Sequence, residues 1–430
     1  MKKALILAGI LISLMIGGIE SFAQNDVNRT KDTLAATVAN LAKAMNAFEK
    51  LKISGFIHAQ YQRADTLGAA SVNGGDFAAA SSQRFMVRRA YLKVEYAGNL
   101  TNYVLLFNAN EKGFGLLDAY FSVKDPWLKA ISLKGGIFYR PFGYELSYSR
   151  TLRESPELGR VTQLMFPNER DLGAMLTFQM PEKSPLNLLK IDAGLFTGNG
   201  INAETDNKLD FIGRIGIAKG LQKNKVSYGF GISTYNGSVY QAKKETYEMG
   251  TSGDIRIFQL RLADSIPGTY FRRRYLGFDE QFSIQTILGK TLLRGEFMTG
   301  NQPGSEKSGS SPTTTITNSL FLRKFDGATF FLVQTIPGNK HSIVIKYDFY
   351  DPNTQIKGSE IGKKASDFKA TNGTDIAYFT WGFGWITDLN KNLRLVAYYD
   401  WVKNETSPNL AGFGKDHKDN VFTLRVQFKY

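Results

Sequence analysis

The last ten residues, Val421 to Tyr430, read VFTLRVQFKY and alternate between apolar and polar side chains. One face of this segment carries Phe422, Leu424, Val426, Phe428 and Tyr430, and the other carries Thr423, Arg425, Gln427 and Lys429. A period of two predicts a β-strand with one apolar and one polar face. In a soluble sheet the apolar face would pack against a protein core, whereas in a membrane barrel it would face lipid. The rest of the chain has to distinguish these two possibilities.

The amino terminus has the pattern of a secretory signal peptide. Lys2 and Lys3 precede an apolar run over residues 4–19, and small residues follow up to Ala23. We therefore predict a signal peptide over residues 1–23, cleaved after Ala23. A retained anchor helix is the alternative, although the apolar run is short for a membrane span. Cleavage removes two lysines and one glutamate, so the net charge changes from +14 to +13 and the exported protein stays basic.

The composition limits how this chain can be stabilised and how it can enter a membrane. It contains no cysteine, which excludes a disulfide framework and thiolate chemistry. After residue 23 there is no further apolar run long enough for a transmembrane helix, so entry into a membrane would require a barrel. A large soluble β-sandwich is equally compatible with the composition alone.

Residues 24–52 are the one stretch with helical spacing. Apolar residues recur at intervals of four and three at Leu34, Val38, Leu41, Met45 and Phe48. This is the seam of a coiled coil of about two heptads, and such a short coil seldom forms unaided. Two interpretations stay open for this segment: a short periplasmic coil that helps a trimer form, or an amphipathic helix that packs locally.

From Ile53 to the carboxyl terminus, sixteen alternating segments predict strands. They lie at residues 53–63, 85–97, 101–110, 115–124, 131–140, 171–181, 187–197, 209–219, 224–236, 271–283, 288–299, 326–336, 339–350, 374–387, 391–403 and 418–430. Long connections, such as 141–170, alternate with tight ones, such as 98–100 and 337–338. Short turns at one end and long loops at the other predict an all-β, antiparallel transmembrane barrel of about 16 strands over residues 53–430, with both termini in the periplasm. A β-sandwich gives no reason for this alternation.

Individual strands separate apolar from polar side chains as a membrane barrel requires. Between residues 342 and 350, one face carries Ile343, Ile345, Tyr347 and Phe349, and the other carries Ser342, Lys346 and Asp348. Phe379, Trp381, Phe383 and Trp385 form an aromatic ridge that is too large to leave in water. We predict that these ridges face lipid; the core of a soluble sandwich is the alternative. In residues 325–336 two facings fit equally well.

Five blocks of the sequence resemble the phosphate-selective porin O and P family. They are FMVRRAYLKVEY at 85–96, LLDAYFSV at 116–123, KGGIFYRPFGYE at 134–145, ERDLG at 169–173 and HSIVIKYDFYDPN at 341–353. The most specific block surrounds Arg140, Pro141, Phe142, Gly143 and Glu145. The resemblance covers most of residues 53–430, and it implies a usually trimeric outer-membrane porin of about 16 strands whose lumen selects small anions.

The chemistry of such a pore is the placement of charge. Cations in a narrow passage attract anions and replace part of their hydration, and the planar fork of Arg suits phosphate. Strand parity and loop position predict these pore-lining, anion-binding residues: Arg89, Lys93, Lys134, Arg140, Arg150, Arg153, Arg160, Arg170, Arg214, Arg294, Lys346, Arg394 and Arg425. For each residue taken alone, a solvated lumen charge without a selective role is the alternative, so selectivity would belong to the set.

Two basic segments have a less direct meaning. The loop over residues 141–170 is the third of the outer loops, and the resemblance implies that it folds into the barrel and narrows it. It also carries several glutamates, so it departs from a pure arginine ladder and weakens the case for phosphate selectivity. The run Arg272, Arg273 and Arg274 is interpreted either as an anion funnel or as a site for lipopolysaccharide phosphates.

The sequence predicts neither a catalytic site nor a cofactor. The histidines His58, His341 and His417 are scattered without the short spacing of metal ligands, and no short Ser and His arrangement is visible. We expect the outer membrane of a Gram-negative bacterium as the location. The expected partners are small anions, outer-membrane lipid, lipopolysaccharide and further copies in a homotrimer, without nucleic acid. A general small-nutrient porin, a structural or adhesive barrel and an outer-membrane hydrolase remain as alternatives.

Overall fold

The computed structural model describes residues 37–41, 49–221, 225–242, 245–261, 268–338 and 340–430. The chain divides into two compact units, residues 1–51 and residues 52–430. In the first unit, residues 37–41 are helical. The predicted signal peptide and most of the predicted helical segment over 24–52 lie outside the described residues, and both stay predictions.

The second unit is built almost entirely of β-strands that belong to one sheet. They are β1 (Leu51–Ala64), β2 (Gln83–Ala97), β3 (Thr101–Asn110), β4 (Gly113–Lys124), β5 (Ile131–Tyr139), β6 (Arg170–Gln179), β7 (Leu189–Phe196), β8 (Asp210–Leu221), β9 (Val226–Tyr240), β10 (Thr246–Ser252), β11 (Ile255–Leu260), β12 (Tyr270–Thr286), β13 (Gly289–Ser305), β14 (Leu320–Thr335), β15 (His341–Asp351), β16 (Tyr378–Asp388), β17 (Leu393–Asn404) and β18 (Val421–Lys429). Every predicted strand overlaps one of these. One short helix, α1 (Arg160–Met165), lies between β5 and β6, and 3-10 turns occur at Pro185–Leu188 and Gly373–Asp375.

Sixteen of these strands close into an antiparallel barrel. β9 pairs directly with β12, and β1 pairs with both β18 and β2. The remaining two, β10 and β11, form a hairpin within the β9–β12 connection, and β10 runs parallel to the outer end of β14, with Thr246 opposite Leu320. The predicted all-β antiparallel barrel is confirmed. The hairpin was not predicted.

Side chains alternate between the outside and the inside of the barrel along each strand. In β18, Leu424 and Phe428 are 45% and 47% exposed, whereas Thr423 and Arg425 are 0% and 4% exposed. The aromatic ridge on β16 points outward in the same way, with Trp381 42% exposed. The outer face is therefore an apolar belt and the inner face is polar, which is the arrangement of membrane barrels.

The structure also decides the facing of the ambiguous segment on β14. Phe331 and Val333 are buried inside the barrel, and Phe330 and Leu332 lie outside. On β12, Glu280 is exposed on the outer face between two outward phenylalanines, and nothing in the structure explains this carboxylate.

Helices contribute little to this architecture. In the part of the chain that the structure describes, no helix has the length and apolar character needed to cross a membrane.

Replacing Leu424 with Arg tests the outer belt. The substitution should lower the free energy of unfolding in phospholipid vesicles by about 2–4 kcal/mol, because a charge on the lipid face near the bilayer midplane is costly. The matched control is Ile287→Arg in the β12–β13 turn, where Ile287 is 93% exposed, and we expect a cost below about 1 kcal/mol there. Equal costs at the two sites would contradict the belt.

Candidate functional site in the barrel lumen

The loop between β5 and β6, residues 140–169, lies inside the barrel, and we call it the inner loop. The backbone N–H of Gly143 donates to Ser233 Oγ on β9 at 2.9 Å. The N–H groups of Tyr144 and Glu145 both donate to Glu296 Oε2 on β13, at 2.9 and 2.8 Å. These contacts with inward-facing wall residues hold the loop in the lumen, as the resemblance implied.

Gly143 shows why the Arg-Pro-Phe-Gly-Tyr-Glu block has its sequence. Its φ is +62°, a left-handed conformation that glycine adopts without strain. A Cβ atom at this position would lie 2.0 Å from Glu296 Oε1. The most specific block of the resemblance is therefore the turn at which the chain leaves the wall and enters the lumen.

One side of the lumen is filled by an apolar core. Buried residues of the inner loop, including Phe142, Met165 and Phe166, pack against inward-facing wall residues such as Phe196 and Tyr275. Phe142 and Phe166 have ring centroids 4.9 Å apart. The inner loop and the wall therefore share one apolar core on this side of the lumen.

A cluster of charges also anchors the inner loop. The carboxylate of Glu157 accepts hydrogen bonds from Arg88 at 2.8 Å, from Arg89 at 2.6 Å and from Arg425 at 3.1 Å. Burial alone would raise the pKa of this carboxylate, but the three guanidinium groups outweigh burial and hold the pKa of Glu157 well below its usual range. Arg425 also donates to the carbonyl oxygen of Pro156 at 2.7 Å.

Glu169, the last residue of the inner loop, forms a second charge cluster. Its carboxylate is paired with Arg150 and lies 3.4 Å from Arg153. Burial opposes ionisation, yet these guanidinium groups lower the pKa of Glu169 below its ordinary value. Arg170 lies beside this cluster and donates to Asp118 on the wall at 2.8 Å.

Most of the other predicted lumen cations are also paired with carboxylates. The closest N–O distances are 3.0 Å for Arg140–Asp171, 2.8 Å for Arg294–Glu154, 2.6 Å for Arg214–Asp279, 2.8 Å for Lys346–Asp348, 2.6 Å for Arg394–Asp388 and 2.5 Å for Lys93–Glu95. Because each pair is nearly neutral, the predicted residues form a set of ion pairs and not a bare ladder of positive charge.

Lys134 and Arg160 differ from the other predicted cations. Within the described ranges, no carboxylate oxygen lies within 4.0 Å of either side chain's nitrogen atoms. Lys134 Nζ lies 4.7 Å from the ring centroid of Tyr120, and the Arg160 guanidinium lies 3.9 Å from that of Tyr378. Both are cation–π contacts, and the aromatic partner carries no formal charge that would neutralise the cation.

A chamber of about 520 Å³ lies in the lumen between the inner loop and the short-turn end of the barrel. Its lining includes Gly55 and Lys429, at the barrel end where the termini and the short turns meet. Cationic side chains from seven positions reach it: Lys93, Lys134, Arg140, Arg150, Lys190, Arg214 and Lys429. Among the described residues, two acidic side chains belong to the lining, Asp118 and Asp192.

Arg88 is a lumen cation that the sequence analysis did not predict. Exposed residues of β2 change from Phe85 and Val87 to Leu92 and Tyr96, so the alternation shifts by one residue and the guanidinium groups of both Arg88 and Arg89 reach Glu157. In the run of three arginines on β12, Arg273 points inward and pairs with Asp210, whereas Arg272 and Arg274 are exposed outside. The two interpretations of that run therefore concern different residues.

The described residues contain no grouping of three or more His, Asp or Glu side chains suited to a metal ion. His58 instead hydrogen-bonds to Gln427, with Nε2 and Oε1 2.8 Å apart.

No protein-family model and no curated protein sequence matches this chain. Solved structures do match it. OprB of Pseudomonas putida superimposes with a TM-score of 0.56 at 10% identity, covering 90% of this chain and 96% of that chain. The outer-membrane channel DcaP of Acinetobacter baumannii gives 0.54 at 12% identity, covering 88% and 97%. The anion-selective porin from Comamonas acidovorans gives 0.51 at 9% identity, covering 88% and 98%.

The fold is therefore that of the bacterial outer-membrane porins, which confirms the predicted porin architecture. The closer resemblance to the phosphate-selective porin O and P family stays a prediction.

Replacing Glu157 with Gln tests the anchor of the inner loop. The free energy of unfolding in detergent should fall by about 3 kcal/mol, because the change leaves buried guanidinium groups without their counter-charge. As a control, Glu182→Gln in an exposed short turn should change it by less than about 0.5 kcal/mol. A Glu157 variant as stable as the native protein would show that this cluster does not hold the loop.

The same variant gives a pH signature. Because the folded-state pKa values of Glu157 and Glu169 are below the ordinary value, their contribution to stability is complete above about pH 4.3 and is lost as the pH falls toward the folded-state values. Between about pH 4 and pH 2, the unfolding temperature of the native protein should therefore fall more steeply than that of Glu157→Gln. Parallel curves would contradict the lowered pKa of Glu157.

Proposed function

We propose that this chain forms an outer-membrane porin, a water-filled, anion-preferring diffusion channel for phosphate, polyphosphate or other small anions. The observation that carries the proposal is that two cations of the chamber lining, Lys134 and Lys429, have no carboxylate oxygen within 4.0 Å among the described residues, whereas both lining aspartates, Asp118 and Asp192, are paired with cations. A positive potential in a confined, partly desolvated space concentrates anions and repels cations. The net charge of +14 has the same sign.

Ion transfer through such a channel is a succession of weak contacts. An anion exchanges part of its hydration shell for the N–H groups of lysine and arginine, and it leaves because no single site binds it tightly. The pairing of Arg89, Arg294 and Arg425 with glutamates of the inner loop weakens each site further. Passage is thereby favoured over capture.

This pairing also supports a second candidate, a general small-nutrient porin without phosphate preference. Phosphate recognition relies on guanidinium groups that are free to donate two parallel hydrogen bonds. Most lumen arginines here already donate to carboxylates. A structural or adhesive barrel would give no conductance, and we propose no enzymatic activity, in agreement with the porin fold.

We also propose that the protein is a homotrimer in the outer membrane of a Gram-negative bacterium. The porin fold and the apolar outer belt support this location. The mass of the detergent-solubilised protein, three times that of the chain for a trimer, tests the assembly.

Lipopolysaccharide is the proposed lipid partner. Arg272, Arg274 and Lys324 are exposed on the outer face at the long-loop ends of β12 and β14. Arg274 and Lys324 lie in one row, separated by Asn301 on β13, and the apolar belt begins nearby at Leu276. At that height, phosphate groups of the outer leaflet would meet these cations.

Reversal potentials in a salt gradient across planar bilayers test the channel. The native protein should prefer chloride over potassium, and replacing Lys134 and Lys190 together with Glu should reduce the anion-to-cation permeability ratio by at least about threefold. Lys403→Glu, a charge reversal on the outer face of β17, is the matched control and should leave the ratio unchanged. Cation selectivity, or the absence of a channel, would overturn the anion-porin proposal. Repeating the measurement with added phosphate distinguishes a channel that prefers phosphate from the general small-nutrient porin.

The triple variant Arg272→Ser, Arg274→Ser, Lys324→Ser tests the lipid partner. The amount of lipopolysaccharide that copurifies with each chain should fall at least about twofold, since each basic residue near a charged surface contributes to binding. Lys290→Ser, on an exposed lysine at the short-turn end, serves as the control. Unchanged lipopolysaccharide in the triple variant would contradict the assignment.

A further inference from the structure

The chamber below the inner loop has an apolar side that transport of inorganic ions does not require. Inward-facing residues of β1 and of β3 to β6 form it, and we call them the apolar wall: Phe56, Leu106, Tyr120, Phe138 and Met175. A hydrated ion gains nothing from such a surface, because only polar groups replace lost hydration. An apolar group of a ligand does gain, because burial removes its surface and that of the wall from water.

Lys134 lies next to the apolar wall and forms no ion pair with a described carboxylate. Lys134 Nζ lies 4.7 Å from the ring centroid of Tyr120 and 5.2 Å from that of Phe138. The neighbouring lysines differ, because Lys93 is paired with Glu95 and Lys190 with Asp192. In the described part of the chain, no carboxylate oxygen comes within 4.0 Å of Lys134 Nζ, so its ammonium group has donors to offer a ligand.

Arg140 and Arg150, the inner-loop arginines that line the chamber, are poorly placed to bind phosphate. Arg140 is committed to Asp171 at 3.0 Å, and Arg150 is committed to Glu169 and to the hydroxyl of Tyr91. A phosphate dianion requires several charge-assisted donors, whereas a carboxylate monoanion is satisfied by an ammonium group and water. The chamber volume of about 520 Å³ also suits an organic molecule, since ligand pockets span roughly 300–1,000 Å³.

We propose that the chamber is a binding subsite for aromatic monocarboxylates, with the carboxylate on Lys134 and the ring against the apolar wall. This inference deepens the proposed function and rests on it, because the ligand is one of the organic anions that an anion-preferring channel would admit. The contact is weak and reversible, as transport requires, and it selects among anions by their apolar part.

Equilibrium binding to the detergent-solubilised full chain tests the subsite without any measurement of conductance. The probes are benzoate, acetate and inorganic phosphate, followed by saturation-transfer NMR and calorimetry. Benzoate should bind at least about tenfold more tightly than acetate, because only benzoate has a ring to bury, and more tightly than phosphate. In the series acetate, butyrate and hexanoate, the affinity should rise as the alkyl chain becomes longer.

Variants of Lys134 identify the charge. Lys134→Met should weaken benzoate binding about tenfold, Lys134→Arg should retain it because the charge remains, and the outward-facing control Lys403→Met should bind as the native protein does. If the Met variant fails to fold, the ligand series on the native protein decides alone.

Failure of the subsite and failure of the channel give different results. Acetate or phosphate binding as tightly as benzoate would overturn the subsite even in a channel that prefers chloride. Unaltered benzoate affinity in Lys134→Met would also overturn it. Tight benzoate binding to a protein that proves cation-selective would retain the subsite and overturn the proposed function.

Discussion

The pairing of β1 with β18 is the interaction on which the rest of this structure depends. Nine residues of β1, from Phe56 to Ala64, lie opposite Val421–Lys429, and this ladder closes the sheet. Closure leaves no free strand edge, and lipid cannot satisfy unpaired backbone groups, each of which would cost several kcal/mol. Once the sheet is closed, strand parity acquires a meaning, because every side chain lies either on the apolar belt or in the lumen. The position of each lumen charge follows from this closure.

Within the closed barrel, part of the lumen is packed with side chains in the manner of a protein interior. The inner loop buries Phe142 and Phe166 on one side and the carboxylate of Glu157 on the other. Buried charges require partners. Glutamates of the inner loop supply them for some wall arginines, such as Arg89 and Arg294, and carboxylates of neighbouring strands supply them for others, such as Arg214. The positive charge that remains for an incoming anion is therefore concentrated in the chamber below the loop, where Lys134 stands beside the apolar wall. For the porin proposed above, this arrangement is expected to give weak binding of anions and not tight capture of phosphate.

Local pattern was enough to predict the strands, and it failed where contacts between distant segments decide. Alternation and connection length located every barrel strand, because a strand exposed to two different environments must alternate. The β10–β11 hairpin was not predicted, and its pairing with β14 joins segments that are distant in the chain. Arg88 was not among the predicted lumen cations. The exposed residues of β2 change from Phe85 and Val87 to Leu92 and Tyr96, so the alternation shifts by one residue and both Arg88 and Arg89 reach Glu157. The sequence of β2 alone does not reveal this partner, which lies in the inner loop.

The sequence by itself determined the architecture: the alternation in VFTLRVQFKY, repeated sixteen times with alternating turn lengths, already specifies an antiparallel barrel with an apolar exterior. It also predicted which cationic residues of a regular strand face the lumen, because side-chain alternation separates the two faces. Only the tertiary structure decided what those cations do. The inner loop supplies the carboxylate for some of them, such as Arg89 and Arg294. Others, such as Lys346, pair with a carboxylate of the wall itself. Arg425, on the strand quoted first, is paired with Glu157, whereas Lys134 Nζ lies against the rings of Tyr120 and Phe138.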